Sequence, residues 1–229
     1  TQKSGTTYVA LAPMVEELDA SAAVRWDGSS GTVTVSSSKL TLTAKVGQLY
    51  LVANGRYLYI PEGVQLINGR VTVPLSVLTE AFDASLTWNA STGVVAVTRG
   101  SGALTPADQY YNQDDLFWLS RIIYAESGNQ PLEGMMAVGN VVLNRVNDPI
   151  YPNTIVSVLA QKNQFTTYQS GKLANRTPNE NSVIAAKLVL DGGVVEETLG
   201  ATHFDSTGNS WASRHKTCVA VIGAHYFYA

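Results

Sequence analysis

The segment Trp26-Asp27-Gly28-Ser29-Ser30-Gly31-Thr32-Val33-Thr34-Val35 returns as Trp88-Asn89-Ala90-Ser91-Thr92-Gly93-Val94-Val95-Ala96-Val97, with the two tryptophans and the two closing glycines each 62 residues apart. Few features restrict a fold more than an internal repeat, because both copies must adopt the same local structure. Before each copy stands a proline followed by apolar residues at helical spacing: Pro13, Met14, Val15 and Leu18, then Pro74, Leu75, Val77, Leu78 and Ala81. Proline suits a first helical turn, where its missing N–H is not needed. Gly31 and Gly93 fit hairpin loops that need positive φ. Val33/Val35 and Val95/Val97 alternate with polar or small neighbours, as on half-buried strands. Each copy therefore reads as strand, short helix, strand, turn, strand.

Between the copies, residues 46–73 are strand-rich, with turns at Asn54-Gly55 and Asn68-Gly69. The run Asn68-Gly69-Arg70-Val71-Thr72-Val73-Pro74-Leu75 and the Trp-x-x-x-x-Gly hairpin after it resemble the domain named for the N-terminus of copper amine oxidases, over residues 6–98. Copper is not expected here. Residues 1–110 hold no His, no Cys and one Met, Met14, so soft and imidazole ligands are lacking. A non-catalytic accessory domain for positioning or assembly is expected over 1–98.

Arg99-Gly100-Ser101-Gly102-Ala103-Leu104-Thr105-Pro106 has the Gly/Ser/Pro character of a connector, and a linker is expected over 99–111. After it the hydrophobic period changes from two to between three and four. Asn112 is placed to cap a helix whose first turn carries Asp114 and Asp115, where the dipole favours negative charge. Leu116, Leu119, Ile122, Ile123 and Glu126 follow at spacings of three and four, which puts Glu126 on the apolar face. Gly128 is a candidate C-cap, and Pro131 opens the next helix. Glu126 then lies in the last turn, where burial and the negative end of the dipole both disfavour its ionised form. A carboxyl group that stays protonated near neutral pH is what a glycosidase uses to protonate a leaving sugar oxygen. An acid facing water at a helix end would carry the same pattern.

The stretch from Arg121 through Tyr124-Ala125-Glu126-Ser127-Gly128-Asn129-Gln130-Pro131 to Asn144-Arg145-Val146 resembles the SleB/CwlJ-type cell-wall hydrolases, the spore cortex-lytic family. Further matches are Tyr151-Pro152-Asn153-Thr154-Ile155, Gln164-Phe165-Thr166, Ala185-Ala186-Lys187 and Ile222-Gly223-Ala224-His225-Tyr226-Phe227-Tyr228. The resemblance implies a mainly helical, lysozyme-like catalytic domain over 112–229 and an α+β, two-domain chain. It also implies cleavage between N-acetylmuramic acid and N-acetylglucosamine, with Glu126 as the catalytic acid. Many members continue from that Glu with Ala-Arg-Gly-Glu. Here Ser127-Gly128-Asn129-Gln130 leaves no acid at 130. A water-activating hydrolase normally uses two carboxylates. A lytic transglycosylase works with one, since the muramoyl C6 hydroxyl closes onto C1 intramolecularly and leaves a 1,6-anhydro sugar. That route is the expected one, with a hydrolytic muramidase or an inactive wall-binding protein as rivals.

Gln164, Phe165, Thr166, Tyr124, Tyr168 and Asn140 are candidate substrate-binding residues; aromatic side chains stack on sugars but also fill cores. Glu133 and Asp205 are possible helper acids, and either can equally be structural. Asn140 and Asn144 either orient the acid and bind sugar or satisfy loop carbonyls. The spacings among His203, His215, Cys218 and His225 match no compact zinc signature, so no metal and no other cofactor is expected. As the only cysteine, Cys218 excludes an intramolecular disulfide.

Charge is balanced: residues 1–110 carry seven basic and eight acidic side chains, and residues 111–229 eight and ten. Nucleic acid is therefore not an expected partner, and no apolar run approaches the roughly 20 residues of a membrane span. Peptidoglycan glycan strands are the expected partner. The chain starts at Thr1 rather than Met, as after removal of a secretory signal or in a shortened chain. Export to the cell wall or spore envelope is the expectation.

Overall fold

In the computed structural model, which describes residues 2, 3 and 5–229, the chain divides into two compact units, Thr1–Tyr110 and Tyr111–Ala229. The first unit runs β1 (Gln2–Lys3), β2 (Thr6–Ala10), α1 (Leu11–Leu18), β3 (Ala23–Asp27), β4 (Thr32–Ser36), β5 (Thr41–Lys45), β6 (Tyr50–Ala53) and β7 (Arg56–Tyr59). It continues with β8 (Gln65–Ile67), β9 (Arg70–Pro74), α2 (Leu75–Ala81), β10 (Ser85–Asn89), β11 (Val94–Thr98) and α3 (Ala107–Tyr110). Both copies of the repeat take the expected order of strand, helix and hairpin. Their first strands, β2 and β9, pair antiparallel with each other, Val9 opposite Val73, so a local two-fold relates the copies. α1 buries Leu11, Val15 and Leu18, and α2 buries Leu78 and Ala81, against one apolar core.

The two hairpin loops are built on the same side-chain turn. Asp27 Oδ1 accepts the Ser29 N–H and hydroxyl, and Asn89 Oδ1 accepts the Ser91 N–H and hydroxyl. This side-chain turn leads to Gly31 at φ +67° and Gly93 at φ +68°. Trp26 then faces Val33 and Trp88 faces Val95. Asn54-Gly55 and Asn68-Gly69 have positive φ at both residues, the type I′ geometry that suits the twist of flanking strands.

Beyond the hairpins the two copies diverge. The first hairpin continues into a five-stranded sheet, order β3-β4-β5-β6-β7, whereas β10 and β11 remain a sheet of two. A linker was expected over residues 99–111, yet residues of 99–110 are docked on the first unit. Leu104 is buried in its core and donates to the Ala81 carbonyl, Ser101 N–H donates to Asp83 Oδ2, and Arg56 stacks on the Tyr110 ring at 3.4 Å. One apolar side chain with a core to enter outweighs the flexibility that the flanking glycines suggest.

The second unit is mainly helical: α4 (Gln113–Ser127), α5 (Leu132–Asn147), α6 (Ile155–Leu159), α7 (Thr166–Gln169), α8 (Glu180–Leu190) and α9 (Trp211–His215). α4, α5 and α8 pack around Leu119, Ile122, Ile123, Met136, Val141 and Leu188. Gly139 sets how closely they approach: a Cβ there would sit 3.0 Å from both Ile123 Cδ1 and Val189 Cγ2. A three-stranded antiparallel sheet completes the unit, order β12 (His203–Asp205), β14 (His225–Tyr228), β13 (Cys218–Ile222). No helix among the described residues is long and apolar enough to cross a membrane.

Candidate active site

α4 begins as its sequence dictates. Asn112 Oδ1 accepts the N–H groups of Asp114 at 2.9 Å and Asp115 at 3.2 Å, satisfying two donors that the helix itself leaves open. Glu126 occupies the position before the last in that helix. It is half-buried, and burial pushes its carboxyl above the usual carboxylate range, with the Arg176 guanidinium pulling the other way. No hydrogen bond or ion pair to its carboxylate is found among the described residues. The carboxyl is thus desolvated and uncommitted, the condition under which a carboxylic acid keeps its proton and can transfer it.

The turn behind Glu126 is fixed by backbone crowding. Gly128 caps α4 at φ −61°, an ordinary helical value, so it is not needed for a left-handed conformation. A Cβ there would lie 2.6 Å from the Tyr124 carbonyl oxygen and 2.6 Å from its ring Cδ2. The Gly128 carbonyl accepts from Asn179 Nδ2 at 2.9 Å, and Asn179 also caps α8. Ser127 is fully buried and returns its hydroxyl proton to the Ile123 carbonyl at 2.8 Å.

At position 130, Gln130 Oε1 accepts the Ala224 N–H at 2.8 Å and Nε2 donates to Asn129 Oδ1 at 2.8 Å. The side chain ties the start of α5 to the β13–β14 turn. The two possible helper acids have other surroundings. Glu133 lines a depression of about 250 Å³ with Val195, Glu197 and residues of β13. Asp205 accepts from Ser210 Oγ and the N–H groups of Thr207 and Gly208; these bonds hold its carboxyl below the usual range, against a desolvation that raises it and is its largest single influence.

The other sequence candidates divide. Phe165, for which stacking on sugar and filling the core were both open, is 4% exposed and counts among the buried apolar residues, at the N-cap of the short helix α7. Asn140 is buried with both ends of its amide in use: Nδ2 donates to Gly193 O at 2.9 Å and Oδ1 accepts from Val195 N at 3.0 Å. Asn144 Nδ2 likewise donates to Ala201 O. Both asparagines pin the segment that leads into β12. Gln164 Oε1 accepts from Arg145 Nη1 at 2.9 Å, while Arg145, itself buried, donates through Nε to Thr202 O at 2.7 Å. Thr166 is exposed, and Tyr124 and Tyr168 are half-exposed.

Trp118 was not singled out by the sequence. Its ring meets Tyr168 edge-on at 5.2 Å and Phe117 at 5.0 Å, and Arg121 lies over Phe117 at 3.5 Å. Trp118, Ile122 and Glu126 lie on one i, i+4, i+8 ridge of α4, so the aromatic pair sits about 12 Å along the axis from the acid. That spacing was the signal available.

His225 is buried between Phe204 and Phe227, and burial lowers its pKa. His203 is pushed down to about 4, by burial first and then by Arg145 and Lys216. His215 stacks on Trp211. Among the described residues no three His, Cys, Asp or Glu side chains converge as metal ligands would.

Comparison with known proteins divides the chain as the fold does. Residues 129–228 match the family described as Cell Wall Hydrolase, and residues 1–97 match the Copper amine oxidase N-terminal domain. Glu126 lies just before the first matched span. The spore cortex-lytic enzyme of Bacillus subtilis is 29% identical over 118 residues, 51% of this chain and 38% of that protein. The spore cortex-lytic enzyme of Bacillus cereus is 35% identical over 100 residues, 44% of this chain and 34% of that protein. The chain thus spans little more than a third of the length of these curated relatives. Among solved structures, the catalytic domain of the germination-specific lytic transglycosylase SleB from Bacillus anthracis is 30% identical, covering 55% of this chain and 100% of that one, with a TM-score of 0.47. The chain is thus similar to two known modules in succession, a copper amine oxidase N-terminal domain over residues 1–97 and a cell wall hydrolase domain over residues 129–228.

Proposed function

We propose that the second unit cleaves peptidoglycan glycan strands as a lytic transglycosylase, with Glu126 as first the acid and then the base. The observation that carries this reading is the desolvated carboxyl of Glu126 in the last turn of α4, with only the Arg176 charge opposing its protonation. Protonated Glu126 gives its proton to the glycosidic oxygen between N-acetylmuramic acid and N-acetylglucosamine as the C1–O bond breaks. The carboxylate then takes the proton of the muramoyl C6 hydroxyl while O6 bonds to C1. No water is consumed, Glu126 ends protonated, and the product is a 1,6-anhydro-muramoyl terminus. The use of Gln130 as a turn brace supports a one-carboxylate route, since it leaves position 130 without a base. Tyr124, Thr166, Gln164 and the Trp118–Tyr168 pair are the proposed sugar contacts. Spore cortex is the proposed substrate because both curated relatives bear that name, and the proposed site of action is outside the cytoplasm, at the wall or spore envelope.

The test is digestion of purified cortex and of purified vegetative wall, with products read by mass spectrometry. Anhydro-muramoyl products that disappear in Glu126→Gln are expected. Reducing muramic acid alone would replace this reading by a muramidase, and undiminished clearance by Glu126→Gln would remove Glu126 from the chemistry.

A further inference from the structure

The first unit holds a groove of about 640 Å³ whose walls include two open sheet edges. On one side is β3, the outer strand of the five-stranded sheet, contributing Val24 and Trp26. On the other is β8, the outer strand of the sheet β1-β2-β9-β8, contributing Leu66. The start of α1 forms the floor with Leu11 and Pro13. Trp26 is 50% and Leu66 53% exposed, so the groove presents apolar side chains and unpaired strand backbone together. Such an edge is a template for another strand.

The same unit carries a strand pair that is covered only in part, through Val97 against the core and β10 against α2. β10 and β11 form a sheet by themselves, all five residues of β10 are exposed, and Trp88 and Val94 are 61% and 55% exposed. A two-stranded hairpin alone is marginal in water. Its counterpart in the first copy of the repeat is held by β5 along β4; β11 has no such neighbour.

We propose that the groove between β3 and β8 receives the β10–β11 hairpin of a second copy of this chain. Apolar walls suit the apolar hairpin, and the open edges supply the ladder bonds that β10 and β11 lack. The exposed Val24, Trp26, Leu66, Leu86, Trp88 and Val94 form the apolar centre of this contact, and backbone and rim must carry it to the roughly 1,000 Å² that a specific interface needs. Because groove and hairpin are different surfaces, the contact is heterologous: each copy offers one of each.

Sedimentation velocity of the full chain tests this without reference to cleavage. Wild-type protein is expected to associate as its concentration rises. Leu66→Lys, in the groove, and Trp88→Lys, in the hairpin, each change an exposed side chain, and circular dichroism checks that both fold. Each alone is expected to need at least a tenfold higher concentration to associate. An equimolar mixture of the two is expected to recover a dimer, because the intact hairpin of one meets the intact groove of the other. A wild-type chain that stays monomeric at all concentrations, variants that associate as wild type does, or a mixture that remains monomeric would each overturn the proposal.

Discussion

Gln130 Oε1 accepts the backbone N–H of Ala224 at 2.8 Å, a bond that closes 94 residues of chain. Gly223 beside it sits at φ +58°, and a Cβ there would meet Gln130 Oε1 at 2.3 Å, so the turn is shaped around this side chain. Gln130→Ala is expected to lower the stability of the second unit by about 1 kcal/mol, the usual worth of one such bond, measured by urea denaturation. Gln130→Glu keeps the acceptor but sets a carboxylate against Asn129 Oδ1. It is expected to yield no new hydrolytic product, because the position braces a turn.

Glu126 reports on itself through stability. Its carboxyl is raised in the folded state, chiefly by burial, so the native protein binds more protons than the unfolded chain in the window between the two pKa values. Stability therefore falls as pH rises through that window, and the cost persists above it. Glu126→Gln removes this cost. The variant is expected to be more stable than wild type at neutral pH, with the difference closing as pH falls below the unfolded pKa, while its cleavage rate drops by about 100- to 10,000-fold. Melting curves across pH, paired with product release, check both halves.

Arg176 opposes the shift at Glu126, favouring the carboxylate. Arg176→Ala therefore raises the acid's pKa further. Where the protonated form begins the reaction, activity is lost on the alkaline side as that proton leaves, so the alkaline limb of the rate profile is expected to move to higher pH. A limb that moves down or stays in place separates Arg176 from the acid.

Local rules made part of this molecule legible. The repeat announced its hairpins because Asp27 and Asn89 build the same side-chain turn before Gly31 and Gly93, a matter of a few adjacent residues. The cap at Asn112 and the period through Ile122 and Ile123 placed Glu126 for the same reason. Contacts across long stretches of chain were hidden. Leu104 looks like linker until Ala81 is beside it, and Phe165, which could stack on sugar or fill a core, proves to be buried only in the folded chain. The sheet of β12, β13 and β14 went unforeseen because its pairing joins residues such as His203 and Tyr228, with a helix between them.

Asn140 distinguishes a structural polar residue from a sugar contact. Asn140→Leu fits the volume but strands the Gly193 carbonyl and the Val195 N–H, both bonded to its amide. Leaving such groups unmet costs about 1–3 kcal/mol each at most, and a clear loss in unfolding free energy is expected. Activity per folded molecule, measured below the new transition, is expected to stay within about twofold of wild type. A large fall in rate with unchanged stability would return Asn140 to the substrate.

Gly128→Ala tests whether the turn behind the acid matters to chemistry. Backbone strain is not the issue, since φ is −61° and alanine adopts that value freely. Alanine would even favour the helical turn by local propensity. The added methyl meets the Tyr124 carbonyl oxygen and ring Cδ2, both at 2.6 Å, and the carbonyl is part of the helix and cannot swing aside. Either the ring rotates or the last turn of α4 opens, and the bond from Asn179 Nδ2 to the Gly128 carbonyl shifts with it. Glu126 lies two residues away on that same turn, where an ångström of displacement is worth about 100-fold in rate for a positioned group. The variant is expected to fold, to lose about 1–3 kcal/mol through overpacking, and to cleave wall far more slowly. Gly128→Ala with Tyr124→Ala removes the ring half of the clash. Partial recovery of rate in the double variant, beyond what Tyr124→Ala alone allows, would place the fault in the ring; no recovery would place it in the backbone of the turn.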